Sequence, residues 1–212
     1  MSYLNFPAPP NLPLAPNGYE RNYQDQFANV LRLYFNRLNG NLQSAFGVDG
    51  GQYINFPYGS FYDTTDQTVA STTTAYAVTL NTVALDNGVT VQNNSQIAVS
   101  YSGLYNIQYS IQLSNNDNAT QDIDIWFRKN GTDIADSNSR FGLAPRKSAG
   151  DPYHVIAALN FFQTLNAGDY VELYWRSSNT NTYIEYYAAP SSPTRPAIPS
   201  VIVTVTFVSA VE

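Results

Sequence analysis

One histidine, no cysteine and sixteen acidic side chains limit the chemistry open to this 212-residue chain. The lack of cysteine removes disulfides, thiolate metal sites and thiol nucleophiles together. His154 stands in Asp151-Pro152-Tyr153-His154, beside a turn, where a structural role is the default; alone it completes neither a zinc set nor a nucleophile triad. Paired carboxylates come next, because glycosidases need two of them flanking one bond. Asp122 and Asp124 alternate onto one side of a strand, and Asp133 and Asp136 follow a hairpin; a solvent face and ordinary loop polarity explain both pairs. Asn115-Asn116-Asp117-Asn118 followed by Asp122 is the densest oxygen cluster. It lacks the D-x-[DN]-x-[DN]-G spacing of a calcium loop, and Asx turns account for it. A G-x-S-x-G elbow, a P-loop, a dinucleotide fingerprint and H-E-x-x-H are all missing. The expectation is a non-enzymatic chain with no cofactor.

What remains is surface chemistry. Tyr183, Ile184, Tyr186 and Tyr187 put apolar bulk on both faces of one expected strand, Tyr183–Tyr187, so one face must meet something besides its own sheet. That something is either a symmetry axis between copies or a flat platform for a glycan or receptor, where rings stack at low entropic cost. Arg140, Arg146 and Lys147 form a small basic loop, read as solvated charge, with an acidic neighbouring subunit as the alternative. Net charge is −6 and only 12% of residues are charged, which excludes a nucleic-acid groove. No apolar run is long enough to insert in a membrane as a helix, and residues 1–19 have neither the basic nor the apolar region of a secretory signal. Neutral polar residues replace the missing charge, among them 23 Asn and 17 Tyr. This composition suits a surface or structural β protein, and a virion protein reconciles an exterior character with the lack of a signal.

Four segments position these residues. Residues 1–19 carry prolines at 7, 9, 10, 13 and 16, which predicts an extended arm, and Leu4, Phe6, Leu12, Leu14 and Tyr19 make it a docking arm rather than a solvated tail. Residues 20–40 read as a helix with an apolar seam at Phe27, Leu31, Tyr34 and Leu38, Asn17 as N-cap and Gly40 as the stop. Early Glu20 and Asp25 with late Arg32 and Arg37 match the helix dipole. The seam serves either the chain's own domain or a bundle of helices from three copies. Residues 41–59 form a Gly-rich linker. From 60 to 212 the chain turns to short β runs: Thr74–Leu80, Ile97–Tyr101, Leu104–Leu113, Asp122–Lys129, Val155–Thr164, Tyr170–Ser177 and Val201–Val208, besides 183–187. Turns are expected at Asp86-Asn87-Gly88, Ser102-Gly103, Asn130-Gly131 and Ala167-Gly168-Asp169. Strict alternation points Ile123, Ile125 and Phe127 one way and Asp122, Asp124, Trp126 and Arg128 the other. The continuous apolar run at 201–208 predicts a central strand buried on both faces. An antiparallel all-β sandwich follows.

Ser102-Gly103-Leu104-Tyr105-Asn106-Ile107-Gln108-Tyr109-Ser110 resembles the Gly-Ile-Tyr strand of the C1q/tumour-necrosis-factor family. Trp126-Phe127-Arg128-Lys129-Asn130-Gly131-Thr132 is similar to its strand closing on an Asn-Gly hairpin, and Gly168-Asp169-Tyr170-Val171-Glu172-Leu173 to its Gly-Asp-x-Val-x-Leu strand. The resemblance spans residues 60–212 and implies a ten-stranded jelly roll that forms homotrimers around an aromatic-lined axis. The aromatic stretch at 183–187 and the loop Pro190–Pro199 depart from it. Separately, Tyr19-Glu20-Arg21-Asn22-Tyr23-Gln24-Asp25-Gln26 and Tyr34-Phe35-Asn36-Arg37-Leu38 resemble the N-terminal segment of small structural proteins of marine tailed phages. That resemblance implies an anchoring module, with Leu4, Phe6, Leu12, Leu14, Tyr19 and Tyr23 facing other virion proteins of the tail or capsid. The combined expectation is a homotrimeric virion protein, as a tail-fibre or host-attachment appendage with a host glycan or receptor as partner. Capsid decoration and a free carbohydrate-binding lectin are the alternatives.

Overall fold

The computed structural model describes residues 7–14, 16–46 and 56–210, which fall into two compact units separated at Asn55/Phe56. Leu4 and Phe6 lie outside the described residues.

In the first unit a proline-rich segment without helix or strand precedes one helix, α1 (Arg21–Phe46). The helix runs past Gly40 and absorbs the first six residues of the expected linker. One internal glycine costs a helix only about 1 kcal/mol, the space around Gly40 is open, and Leu42 and Ala45 continue the pattern beyond it. Asn17 is therefore not the cap, since the first turn closes on Glu20, whose carbonyl accepts from Gln24 N at 3.2 Å. Arg32 and Arg37 fall in mid-helix rather than in a last turn, so the expected dipole match is lost; the first turn holds no acidic residue.

The described residues of the second unit hold fourteen strands. The first seven are β1 (Tyr58–Asp63), β2 (Gln67–Thr68), β3 (Tyr76–Ala77), β4 (Thr82–Asn87), β5 (Val89–Gln92), β6 (Gln96–Val99) and β7 (Gly103–Asn115). The rest are β8 (Gln121–Lys129), β9 (Thr132–Asp133), β10 (Ser139–Leu143), β11 (Tyr153–Leu165), β12 (Tyr170–Ser177), β13 (Thr182–Ile184) and β14 (Val201–Ser209). They form two antiparallel seven-stranded sheets. One runs β2-β13-β7-β14-β1-β4, with β11 on the other side of β7; the other runs β10-β8-β12-β6-β5, with β3 on β12 and β9 on β8. We call them the β7 sheet and the β8 sheet.

The sheets share one core. Phe127 from β8 stacks on Phe161 from β11 at 4.7 Å and leans on Tyr109 of β7 at 5.9 Å. Alternation decides who enters: Ile123, Ile125 and Phe127 are fully buried, as are Ile107, Ile111, Val203 and Val205 opposite. Asn130 (φ 48°) and Gly131 (φ 80°) both take the left-handed conformation that a tight two-residue hairpin demands. Gly88 (φ 66°) turns the chain from β4 in one sheet to β5 in the other.

Three expectations are corrected. Only Tyr76–Ala77 of Thr74–Leu80 pairs as a strand: Val78 N still reaches Leu173 O of β12, but Thr79 N turns to the Gln67 side chain and Leu80 N to the loop carbonyl of Asn94. The strand at 183 ends at Ile184: Glu185 N still bonds Gln112 O of β7 in the same register, but Tyr186 N turns to the Asp66 carboxylate and Tyr187 bridges Ile198. Finally, β14 is central, between β7 and β1, yet only Val201, Val203 and Val205 are buried; Ile202 and Val208 face outward and exposed. Its apolar run promises two covered faces, and the described residues of this unit cover one.

Candidate functional site

The outer face of the β8 sheet gathers a cluster of carboxylates and guanidinium groups. Asp124 is buried, and Arg140 of β10 and Arg176 of β12 grip it from either side, with Nε donating at 2.8 Å in both cases. Burial would raise its pKa, but the two guanidinium hydrogen bonds outweigh burial and hold the carboxyl below its usual range. Asp133 is likewise held low by Arg128 and by Trp126, whose indole N–H donates to Oδ1 at 2.7 Å. The Arg128 guanidinium also lies 3.8 Å over the Tyr174 ring. Asp122 shares a face with Asp124 as expected, but Asp124 and Asp133 are spent on cations and offer no proton at neutral pH.

The oxygen-rich turn behaves as Asx geometry. Asn115 Oδ1 accepts from Asp117 N at 2.9 Å, and Asp117 Oδ2 accepts from Asn179 Nδ2 at 3.2 Å. Among the described residues, no three His, Asp or Glu side chains converge where a metal ion could sit. The expected basic loop is dispersed: Arg140 belongs to β10, Arg146 N bonds to Asp117 O, and Lys147 Nζ lies 3.7 Å from Asp151.

The tyrosines at 183–187 do not share one strand: Tyr183 lies in β13, and Tyr186 and Tyr187 follow it. Tyr183 stands between Thr68 and Ser114 on the outer face of the β7 sheet, half-buried. Tyr186 N donates to Asp66 Oδ1 at 2.7 Å. Tyr187 OH donates to Glu185 Oε2 at 2.7 Å and lies 2.8 Å from His154 Nδ1, so the single histidine is tied into a local cluster. Burial, with the Glu185 carboxylate beside it, pushes the Tyr187 hydroxyl pKa upward.

The distinctive surface lies beside them. β7, β11 and β14 are 13, 13 and 9 residues long and contain no Asp, Glu, Lys or Arg. Their outward side chains form rows: Phe162 beside Asn106 beside Thr206, Asn160 beside Gln108 beside Thr204, and Ala158 beside Ser110 beside Ile202. Ile156 and Phe162 are more than half exposed (58% and 53%) and Ile202 40%. A shallow hollow of ≈350 Å³ sits over Ala158, walled by Gln108 and Asn160. Two shielded oxygens on this face, Asn106 Oδ1 and Ser114 Oγ, have no hydrogen-bond partner. Among the described residues β11 pairs only with β7; its other edge carries neither a proline nor a lysine of its own, though Lys129 Nζ donates to Thr164 O at 3.1 Å. Such an edge invites pairing or covering. The signal for this face is in the sequence as three apolar strands without charge, legible once they are known to be neighbours.

In the first unit the prolines, not the leucines, make the contact. Pro7, Pro10, Pro13 and Pro16 are half-buried at every third residue, the period of a polyproline II helix. Tyr23 OH donates to Pro13 O at 3.3 Å, and Pro7, Pro10, Val30, Leu33 and Tyr34 line one hollow. Leu14 and Tyr19 point away, 95% and 84% exposed, and Leu12 is exposed too. Of the expected seam, Phe27, Leu31, Tyr34 and Leu38 are all half-buried. No residue in 7–14 or 16–45 is fully buried. Neither a protein-family model nor a curated protein matches the chain.

Proposed function

We propose that this chain is a non-enzymatic structural protein of a phage virion: a homotrimer whose β body associates through the outer face of the β7 sheet and whose N-terminal unit anchors it to the particle. The supporting observation is the uncharged face of β7, β11 and β14, with Ile156, Phe162 and Ile202 in water. The strand order β1-β14-β7-β11 against β6-β12-β8-β10 favours a jelly roll of the C1q/tumour-necrosis-factor kind. The interface belongs on the β7, β11 and β14 strands, with Tyr183 and the Tyr187–His154 cluster at its rim. The exposed Leu12, Leu14 and Tyr19 supply apolar contacts for other virion proteins, and the resemblance of residues 19–38 to phage structural proteins supports a tail-fibre or host-attachment appendage.

Two measurements test this reading. Sedimentation of the full chain should give a trimer that Phe162→Asp converts to monomer; a wild-type monomer overturns self-association. The copy number per virion, purified from the phage that carries this gene, should be a few to a few dozen in multiples of three. Hundreds would make it a capsid decoration protein, and absence from the particle would leave a lectin.

A further inference from the structure

The full length of α1 exposes a heptad register that the shorter expected helix concealed. Gln24, Ala28, Leu31, Phe35, Leu38, Leu42 and Ala45 recur at spacings of four and three through three heptads. This is a strict 3.5-residue repeat, the period with which one helix meets copies of itself in a left-handed bundle. The proline-rich segment occupies the adjacent stripe, through Tyr23, Val30 and Tyr34. On the heptad stripe Phe35 and Leu42 stay 58% and 46% exposed, and Leu31 and Leu38 between them are half-buried.

We infer that Leu31, Phe35, Leu38 and Leu42 form the seam along which the α1 helices of the associated copies pack in parallel, with each proline-rich segment strapped to the outside of its own helix. The inference rests on the body being a homo-oligomer, and three observations select further copies of this chain as the occupant. Residues 47–55 are nine residues that tether each helix to its body, so associated bodies hold their helices at millimolar effective concentration. That compensates for a repeat too short to hold together alone. Asp25, Arg32 and Asn39 flank the seam on one side and Phe27, Tyr34 and Asn41 on the other, so parallel copies bring no like charges together. The described part of this unit buries no side chain fully by itself, as expected of a module whose core comes from its copies.

The chain has no cysteine, so a single introduced thiol reports position cleanly. In the full chain, Leu38→Cys and Leu31→Cys, both on the seam, should form inter-chain disulfides under mild oxidation. They should do so at least about tenfold faster than Asn29→Cys, which lies off it. Equal rates at all three positions in a chain that sediments as an oligomer overturn the helix bundle and leave the body interface standing. A chain that sediments as a monomer overturns the body reading, and the bundle with it.

Discussion

On the outer face of the β8 sheet Asp124, Arg128, Arg140 and Arg176 each meet an opposite charge on a neighbouring strand, whereas the outer face of β7, β11 and β14 has no such charge to place. Both faces stand on the same core and alternate with the same period of two. The first resolves its polarity within one chain: Asp124 has two guanidinium partners, and Trp126 and Tyr174 are pinned by Asp133 and Arg128. The second leaves amides, hydroxyls and large apolar groups in water, with two shielded oxygens unpaired. A face that satisfies itself needs no partner, and one built from Ile, Phe, Asn and Gln without charge has the composition of an interface core.

The largest expected effect comes from charging the neutral face. Phe162→Asp should weaken self-association about a thousandfold, as loss of a central aromatic contact plus a desolvated carboxylate would. Sedimentation at micromolar concentration should then show monomer with an unchanged far-ultraviolet β spectrum. Persistence of the trimer would move the interface elsewhere. The matching change on the other face, Asp124→Ala, leaves Arg140 and Arg176 without their shared carboxylate. It should cost about 2 kcal/mol of folding stability, read by denaturant unfolding, with no change of sedimenting mass. Loss of the trimer in Asp124→Ala would erase the distinction between the two faces.

That distinction was only half legible in the sequence. β8 could be read residue by residue, because one side of its alternation is core and the other carries charge; Asn130-Gly131 fixed its hairpin by backbone chemistry alone. The outer face of β14 could not, because Val201–Val208 is apolar but for Thr204 and Thr206 and gives no sign that one side stays uncovered among the described residues of its unit. The short strands β1, β4, β5 and β10 are only four to six residues long, too short for a period of two to stand out from the turns beside them. In the helix Gly40 looked like a terminator, which hid the third heptad. In the proline-rich segment the leucines drew attention, while the contact is made by prolines at every third position. The tyrosines at 183–187 read as one strand because nothing in their residue types shows the chain leaving the β7 register after Glu185.

Acid should act first on the ion-paired carboxylates, Asp169 in the turn between β11 and β12 and Asp124 on the outer face of the β8 sheet. Asp169, bonded by Lys129 Nζ at 2.8 Å, by Asn130 Nδ2 and by Asn166 N, is held down to about 2, chiefly by the lysine. Asp124 is lowered as well. A carboxylate depressed in the folded state contributes stability that is fully present above its unfolded value near 4 and is lost as pH falls through the folded value. Unfolding should therefore steepen between about pH 4 and pH 2, and Asp169→Asn should flatten that slope. An Asp169→Asn profile identical to wild type would mean that this carboxylate contributes nothing to the acid limb.

The smallest expected effect is that of salt on association, and it is the most discriminating. Raising ionic strength from about 50 mM to 500 mM shortens the screening length severalfold, so an interface held by charge pairs would loosen by an order of magnitude or more. The strands of the neutral face carry no formal charge except when His154 at the rim is protonated, and His154 already lies 3.6 Å from Glu185 of its own chain. At pH 8 the dissociation constant should move by less than about twofold across that range. The ion-pair lattice on the other face should meanwhile lose a few tenths of a kcal/mol of folding stability in the same titration, as partly exposed pairs do. A salt-labile trimer would place charged groups at the contact and transfer the interface to the β8 sheet.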